Sequence, residues 1–195
     1  MDDKLVAWAR AVKARQKKIA GAALPVLWLF TDAGRLEDPR AAVRRLPRGL
    51  CGVVLRHDQA PDRAALGRDL ARICRQRHTL LVLAGDWRLA AALGVGRHVR
   101  GGHGPRRTRH LVTSSAHSMV EATRAARIGA GLVFLSPAFA TASHVGATGH
   151  GALRWGLIAR RAGIAVAALG GIDGVTVRQL PPKWLRAVGA IGALA

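Results

Sequence analysis

The sequence predicts a parallel α/β fold, and more specifically a compact (β/α)8 barrel, the TIM-barrel architecture, with an extra N-terminal helix and no final helix. Eight short apolar runs alternate with segments of helical character. Most of these runs are apolar at every position, as expected for parallel strands that are buried on both faces. The chain has 195 residues, and an ordinary barrel needs roughly 250. We therefore expect a barrel with shortened helices.

The predicted elements alternate along the chain after one initial helix. That helix is expected at residues 3–19, where Leu5, Val6 and Val12 share a loose apolar stripe. The predicted strands are residues 26–31, 52–56, 80–84, 98–99, 110–114, 132–136, 165–169 and 187–191. The predicted helices between them are residues 39–46, 61–75, 86–93, 118–128 and 153–162. Residues 1–22 are thus assigned to an amphipathic helix and residues 23–195 to the barrel.

Several crossover connections are abbreviated. Residues 101–107 hold little helical sequence, Pro181 and Pro182 interrupt the seventh connection, and nothing helical follows the last strand. A missing final helix leaves one flank of the barrel uncovered. Either the N-terminal helix or a second copy of the chain, in a homodimer, would cover it.

The strong positive charge of the chain has two interpretations. Lys and Arg number 31 against 11 Asp and Glu, giving a formal net charge of +20. Such a charge attracts polyanions, but the basic residues are dispersed, and at 4% aromatic residues offer little for stacking on bases. The sequence therefore favours a small phosphorylated substrate over nucleic acid.

The apolar run at residues 20–30 is too short to span a membrane, and two cysteines without metal-ligand spacing fit a reducing, cytoplasmic setting.

The chemistry of such a barrel belongs at the carboxyl ends of its strands. Gly170 and Gly171 directly follow the seventh predicted strand, where their N–H groups can approach a phosphate. Gly189 and Ala190 offer a second stretch of small residues in the last strand. Polar residues expected near the same mouth are Arg56, Asp86, Ser115, His117, Thr141, Ser143 and His144.

Six short motifs occur in a fixed order between residues 26 and 195. They are Thr31-Asp32, Val54-Leu55-Arg56, the segment 89–99, the segment 115–122, the segment 135–141 and Ala168-Leu169-Gly170-Gly171-Ile172. In order and spacing they resemble the thiamine phosphate synthase and TenI (thiazole tautomerase) family. The resemblance implies a barrel enzyme of thiamine biosynthesis, a transferase that couples hydroxymethylpyrimidine pyrophosphate to thiazole phosphate and releases pyrophosphate with the help of Mg²⁺.

The resemblance also implies roles for individual residues. Arg56 would contact the pyrophosphate or the pyrimidine, and Ser115 the pyrophosphate. Thr141 and Ser143 would approach the thiazole phosphate. The backbone N–H groups that would bind that phosphate belong to Gly170, Gly171, Gly189 and Ala190.

The charged positions depart from the family pattern. Asp58 and His144 stand where the family has lysines. The Asn-Asp pair after strand three aligns with Ala84-Gly85, which leaves Asp86 one residue late, and the second metal carboxylate falls at His103. Asp86 and His103 are therefore the positional candidates for Mg²⁺, and neither fits the pattern well.

Two alternatives stay open. In a thiazole tautomerase the catalytic histidine occupies the place of Pro137, so that an isomerase would need another acid/base, with His117 and His144 as candidates. The second alternative is a non-catalytic barrel that binds a phosphate ligand or a polyanion.

Overall fold

Eight parallel strands close into a barrel in which each strand pairs with its sequence neighbours and β8 pairs with β1. This computed structural model describes residues 1–16, 24–36, 38–104, 109–141 and 148–194. The strands are β1 (Leu27–Phe30), β2 (Cys51–Leu55), β3 (Leu80–Ala84), β4 (Gly96–Arg100), β5 (Val112–Ala116), β6 (Leu132–Leu135), β7 (Val166–Leu169) and β8 (Leu185–Ala190). The predicted (β/α)8 fold is confirmed.

Six α-helices lie around the barrel in the described residues. They are α1 (Asp3–Gln16), α2 (Pro39–Arg45), α3 (Arg63–Gln76), α4 (Trp87–Ala92), α5 (Met119–Arg127) and α6 (Gly151–Arg161). The seventh connection holds only a 3-10 turn, Thr176–Gln179, and a second such turn, Gly192–Leu194, follows β8. The end predicted for the first helix and the boundary between residues 22 and 23 lie outside the described residues.

The fifth strand lies two residues later than predicted. The predicted strand ended at Ser114, yet Ser115 and Ala116 also lie within β5. The core accepts the polar side chains of Thr113 and Ser114 because both are hydrogen-bonded. Thr113 Oγ1 lies 2.9 Å from His98 Nδ1, and Ser114 Oγ accepts a hydrogen bond from the Gly102 N–H at 3.0 Å.

Aromatic rings fill the inside of the barrel. Phe30 packs edge-on against Phe134 at a centroid distance of 4.7 Å, and Trp28 packs edge-on against the same ring at 5.6 Å. Small residues on neighbouring strands make room for these rings. A Cβ on Gly52 would lie 2.6 Å from Trp28, and one on Gly189 would lie 2.8 Å from Phe30. Large and small interior residues on adjacent strands thus pack into one solid floor.

The N-terminal helix covers the flank that lacks a final helix. Asp2 N–H donates to the Ala193 carbonyl, directly after β8, and Lys13 at the other end of α1 donates to the Gly49 carbonyl, before β2. The helix therefore runs down the outside of the barrel, antiparallel to the strands, where the helix after β8 would otherwise lie. Leu5 and Ala9 are completely buried there. In the described part of the chain, no helix combines the length and the apolar character that crossing a membrane requires.

Candidate functional site

A cavity of about 1060 Å³ opens at the carboxyl ends of the strands. Its lining comes from the ends of every strand except β3 and from the segments that follow them, with Asp2 added from the N-terminus. Of the residues singled out from the sequence, those that line the cavity are Arg56, Ser115, His117, Thr141, Gly170, Gly171, Gly189 and Ala190. Ser143 and His144 lie outside the described residues.

The loop after β7 has a backbone that glycine alone adopts without strain. Gly170 and Gly171 have φ angles of +89° and +66°. A Cβ on Gly171 would lie 2.5 Å from the Ala140 carbonyl oxygen, and one on Gly170 would lie 2.9 Å from Pro137. Two glycines therefore let the loop lie flat against the segment after β6. Together with Gly189 and Ala190 they form a wall of small residues, called the glycine wall below.

Two carboxylates fix the end of that loop. Asp173 accepts hydrogen bonds from the Val175 and Thr176 N–H groups, each at 2.8 Å, and the Thr176 N–H is the main cause that lowers the pKa of Asp173. Asp2 accepts the Gly174 N–H at 2.7 Å. The residue before the N-terminal helix thus holds the turn beside the glycine wall.

The opposite side of the cavity carries Arg56, directly after β2. Its N–H donates to Thr31 Oγ1 at 2.9 Å. His57 Nε2 donates to the Leu36 carbonyl at 3.0 Å, and its Nδ1 lies 2.9 Å from Thr31 Oγ1. The loops after β1 and β2 are therefore joined by a buried histidine and by Thr31, which positions the backbone of Arg56.

His117 follows β5 with a defined orientation. Its Nδ1 donates to the Ser136 carbonyl at 2.9 Å. Its backbone N–H donates to the Glu121 carboxylate at 2.8 Å, and Ser118 caps α5. The side chain lines the cavity in this fixed orientation.

The floor of the cavity holds a histidine that was predicted only as part of a weak strand. His98 on β4 packs edge-on against Phe30 at 5.5 Å, and only 4% of its surface is exposed. Burial, together with the charges of Arg56 and Arg100, lowers the pKa of His98 to about 3. The floor is therefore a neutral hydrogen-bonding group set among aromatic rings.

The sequence profile of the thiamine monophosphate synthase family matches residues 27–194, the part of the chain that builds the barrel and its cavity. The chain belongs to this family. A thiamine phosphate pyrophosphorylase from Pyrococcus furiosus has a similar structure, with a TM-score of 0.70, 22% sequence identity, and coverage of 86% of this chain and 85% of that one. A HpcH/Hpal aldolase/citrate lyase family protein from Burkholderia cenocepacia also shares the fold, with a TM-score of 0.57, 16% identity and coverage of 91% and 92%. No curated protein sequence matches the chain significantly.

Membership in the thiamine monophosphate synthase family supports a function of the thiamine-biosynthesis type. Because the family implies Mg²⁺, the positions of the two candidate metal ligands matter for that function. Asp86 does not line the cavity, and its carboxylate caps α4 by accepting the Leu89 N–H at 2.9 Å. His103 also lies outside the lining, and its Nε2 accepts a hydrogen bond from Arg124. In the described residues no three His, Cys, Asp or Glu side chains form a group that could hold a metal ion. Neither of the two positional candidates for Mg²⁺, Asp86 and His103, therefore lines the cavity.

Several lining residues were not among the site residues predicted from the sequence, although Asp32, His98 and Phe139 lie in its motifs. These lining residues are Asp2, Phe30, Asp32, Arg35, His98, Arg100, Phe139 and Thr176. Arg100 could have been predicted, because it is the last residue of the fourth strand and so lies at the mouth of the barrel. The predicted fourth strand was too short to include it. The position of Asp2 could not be read from the sequence, since it depends on how α1 docks onto the barrel.

Proposed function

We propose that this protein is a transferase of the thiamine phosphate synthase type, which joins hydroxymethylpyrimidine pyrophosphate to thiazole phosphate. The C–O bond between the pyrimidine methylene and the pyrophosphate breaks, and its electron pair leaves with the pyrophosphate. The thiazole nitrogen then supplies the pair that forms the new C–N bond. The products are thiamine phosphate and pyrophosphate.

The observation that carries this proposal is one cavity lined both by the glycine wall and by Arg56 and Ser115. The glycine wall would offer backbone N–H groups to the phosphate of the thiazole. Arg56 and Ser115 would offer a guanidinium and a hydroxyl to the leaving group. Two substrates held in this way would place the thiazole nitrogen and the pyrimidine methylene between these groups.

The floor suits the charge that develops during the reaction. Positive charge appears on the pyrimidine methylene as the pyrophosphate departs, and a charged histidine below it would oppose that step. His98 stays neutral because it is buried. The aromatic rings of Phe30 and Phe134 around it present electron-rich faces and exclude water.

The test is formation of thiamine phosphate from the two substrates by pure, folded protein, with and without Mg²⁺. We expect thiamine phosphate and pyrophosphate in equal amounts. Gly171→Ala should abolish turnover, because its Cβ collides with the Ala140 carbonyl. Gly49→Ala is the matched control, since Gly49 has a similar φ of +72° but no atom within 4 Å of an added Cβ. Absence of product under all conditions would overturn the proposal.

A second candidate, a thiazole tautomerase-like isomerase, is favoured by the orientation of His117. Its Nδ1 donates to the Ser136 carbonyl, so Nε2 is the ring nitrogen that would move the proton on a thiazole carboxylate phosphate. Isomerisation that is lost in His117→Ala would support this candidate. Isomerisation that persists in His117→Ala would reject His117 as the base, and no isomerisation by the unaltered protein would reject the reaction.

A further inference from the structure

The ends of β2, β3 and β4 carry a group of charges that the metal-binding pattern of the family does not explain. We call Arg56, Asp58, Arg63 and Arg100 the arginine cluster. Asp58 Oδ1 pairs with Arg63 Nη1 at 2.6 Å, and Asp58 Oδ2 pairs with Arg100. One carboxylate thus joins the first residue of α3 to the last residue of β4.

This cluster fills the space above the end of β3. A Cβ on Gly85 would lie 3.4 Å from Asp58 Oδ1 and 4.0 Å from Arg63 Nη2. Arg63 also donates to the Ala84 carbonyl. Side chains from the segment after β2 and from α3 therefore lie beside the positions, 84 and 85, where the family pattern has its Asn-Asp pair.

The charge of the cluster suits an anion and opposes a cation. Two guanidinium groups, of Arg63 and Arg100, pair with the two oxygens of the Asp58 carboxylate. Arg56, two residues earlier in the chain, adds a third positive charge. The excess of positive charge repels a divalent cation and leaves it no free carboxylate oxygen here. Arg56 and Arg100 both line the cavity, whereas Asp58 and Arg63 lie behind them.

The two cavity-lining arginines, Arg56 and Arg100, both lie near His98. Both of their charges are close enough to depress the pKa of the buried His98. In the ring of strands, β4 lies four strands from β8 in either direction. Arg100, at the end of β4, and the β8 part of the glycine wall therefore stand on opposite sides of one cavity, and Arg56 lies between them after β2.

We propose that Arg56 and Arg100 bind a diphosphate group directly, without a divalent metal ion, and that Asp58 is the positioning residue that holds Arg100 at the cavity. Guanidinium groups recognise phosphate oxygens through paired hydrogen bonds, so two of them supply the donors and the charge that a metal supplies elsewhere. This inference rests on the proposed function in one respect: the diphosphate is the group carried by the pyrimidine substrate.

The experiment is calorimetric titration of inorganic pyrophosphate into the full chain, once in EDTA and once in Mg²⁺. We expect binding in EDTA, and an affinity for free pyrophosphate that Mg²⁺ changes by no more than about threefold. Binding that is absent in EDTA and appears with Mg²⁺ would overturn the proposal.

Two variants distinguish a specific pyrophosphate site from attraction by the net positive charge of the protein. Arg100→Gln should weaken pyrophosphate binding by about tenfold or more, as expected for the loss of a charge-assisted contact. Arg72→Gln removes the same charge from the exposed face of α3, where Arg72 pairs with Asp69, and should change the affinity less than twofold. Equal losses in the two variants would show attraction by net charge alone and would overturn the site.

The sign of the effect at Asp58 is the sharpest test. Asp58→Asn adds positive charge to the cluster, so a purely electrostatic site would bind pyrophosphate more tightly. If Asp58 positions Arg100, affinity falls about threefold or more despite the added charge. Tighter binding would overturn the positioning role. Neither result depends on turnover. Metal-free pyrophosphate binding without product formation would reject only the proposed function. Turnover together with Mg²⁺-dependent pyrophosphate binding would reject only this inference.

Discussion

Asp2 accepts a hydrogen bond from the Gly174 N–H at 2.7 Å, which joins the start of the N-terminal helix to the turn after β7. The other carboxylate oxygen accepts the Leu5 N–H at 3.0 Å and so caps α1. One side chain therefore fixes both the helix and a loop at the cavity mouth. Burial raises the pKa of Asp2, but the N–H groups of Gly174 and Leu5 outweigh burial, and the net pKa is lowered from 3.8.

Asp2→Ala should lower the free energy of unfolding by about 1 to 2 kcal/mol, because it removes a helix cap and a second hydrogen bond. Because the folded pKa is below 3.8, the ionised carboxylate stabilises the protein above that pH, and the contribution is lost as the pH falls through the folded value. Urea unfolding at pH 7 and at pH 3 measures both effects. Asp3→Ala, at an exposed position in the same helix turn, is the control and should cost much less. Equal midpoints for the two variants would contradict the role of Asp2.

Thr31→Val tests the junction between the loops after β1 and β2. The substitution keeps the shape of a completely buried side chain but leaves two groups, the Arg56 N–H and His57 Nδ1, without their partner. We expect a loss of about 3 kcal/mol in unfolding free energy, since each unsatisfied buried group costs about 1 to 3 kcal/mol. Thr113→Val is the matched control on β5, where the hydrogen bond to His98 Nδ1 is lost. A smaller loss at Thr31 than at Thr113 would argue against the junction.

Gly52→Ala tests the packing of the barrel interior. An added methyl group would lie 2.6 Å from the ring of Trp28, so the ring must move within a filled core. We expect destabilisation of about 1 to 3 kcal/mol. Gly192→Ala, where an added Cβ meets no atom within 4 Å, should be neutral or slightly stabilising. Thermal unfolding of both variants measures the difference, and a stabilised Gly52→Ala would mean that the interior has free space.

The sequence predicted the barrel because a short apolar run recurs eight times along the chain, once for each strand. Continuous apolar runs gave the strands, and β3 was predicted with its observed bounds, Leu80–Ala84. The prediction shifted at β5, because Thr113 and Ser114 look like the polar end of a strand until their hydrogen-bond partners are known. Local patterns therefore specify buried strands well and polar strand positions poorly.

The candidate site was predictable where its residues follow strands directly. Gly170, Gly171 and Arg56 were expected at the mouth and line the cavity. Long-range pairing could not be predicted, because Asp58 meets Arg100 across 42 residues of sequence and only the closed barrel brings them together. The same holds for Asp86, whose carboxylate was a metal candidate by position but whose hydrogen bond caps its own helix.

His98 gives the barrel a dependence on pH that can be measured. Burial, with the positive charges of Arg56 and Arg100, lowers its pKa from 6.5 to about 3 in the folded protein. Below pH 6.5, His98 is therefore protonated in the unfolded chain but stays neutral in the folded chain until the pH approaches 3. Stability from this group is complete above pH 6.5 and is lost progressively as the pH falls towards 3.

His98→Gln removes the titrating group while keeping a side chain that can hydrogen-bond to Thr113. Between pH 6 and pH 4 we expect the unfolding free energy of the unaltered protein to fall more steeply than that of His98→Gln, by up to about 1.4 kcal/mol per pH unit. His78→Asn replaces an exposed histidine with positive φ, which asparagine tolerates, and should keep the steep dependence. Urea unfolding at intervals of half a pH unit measures the three slopes. Parallel slopes for His98→Gln and the unaltered protein would show that His98 takes up its proton in the folded state, and the floor of the cavity would then carry a positive charge that opposes the proposed reaction.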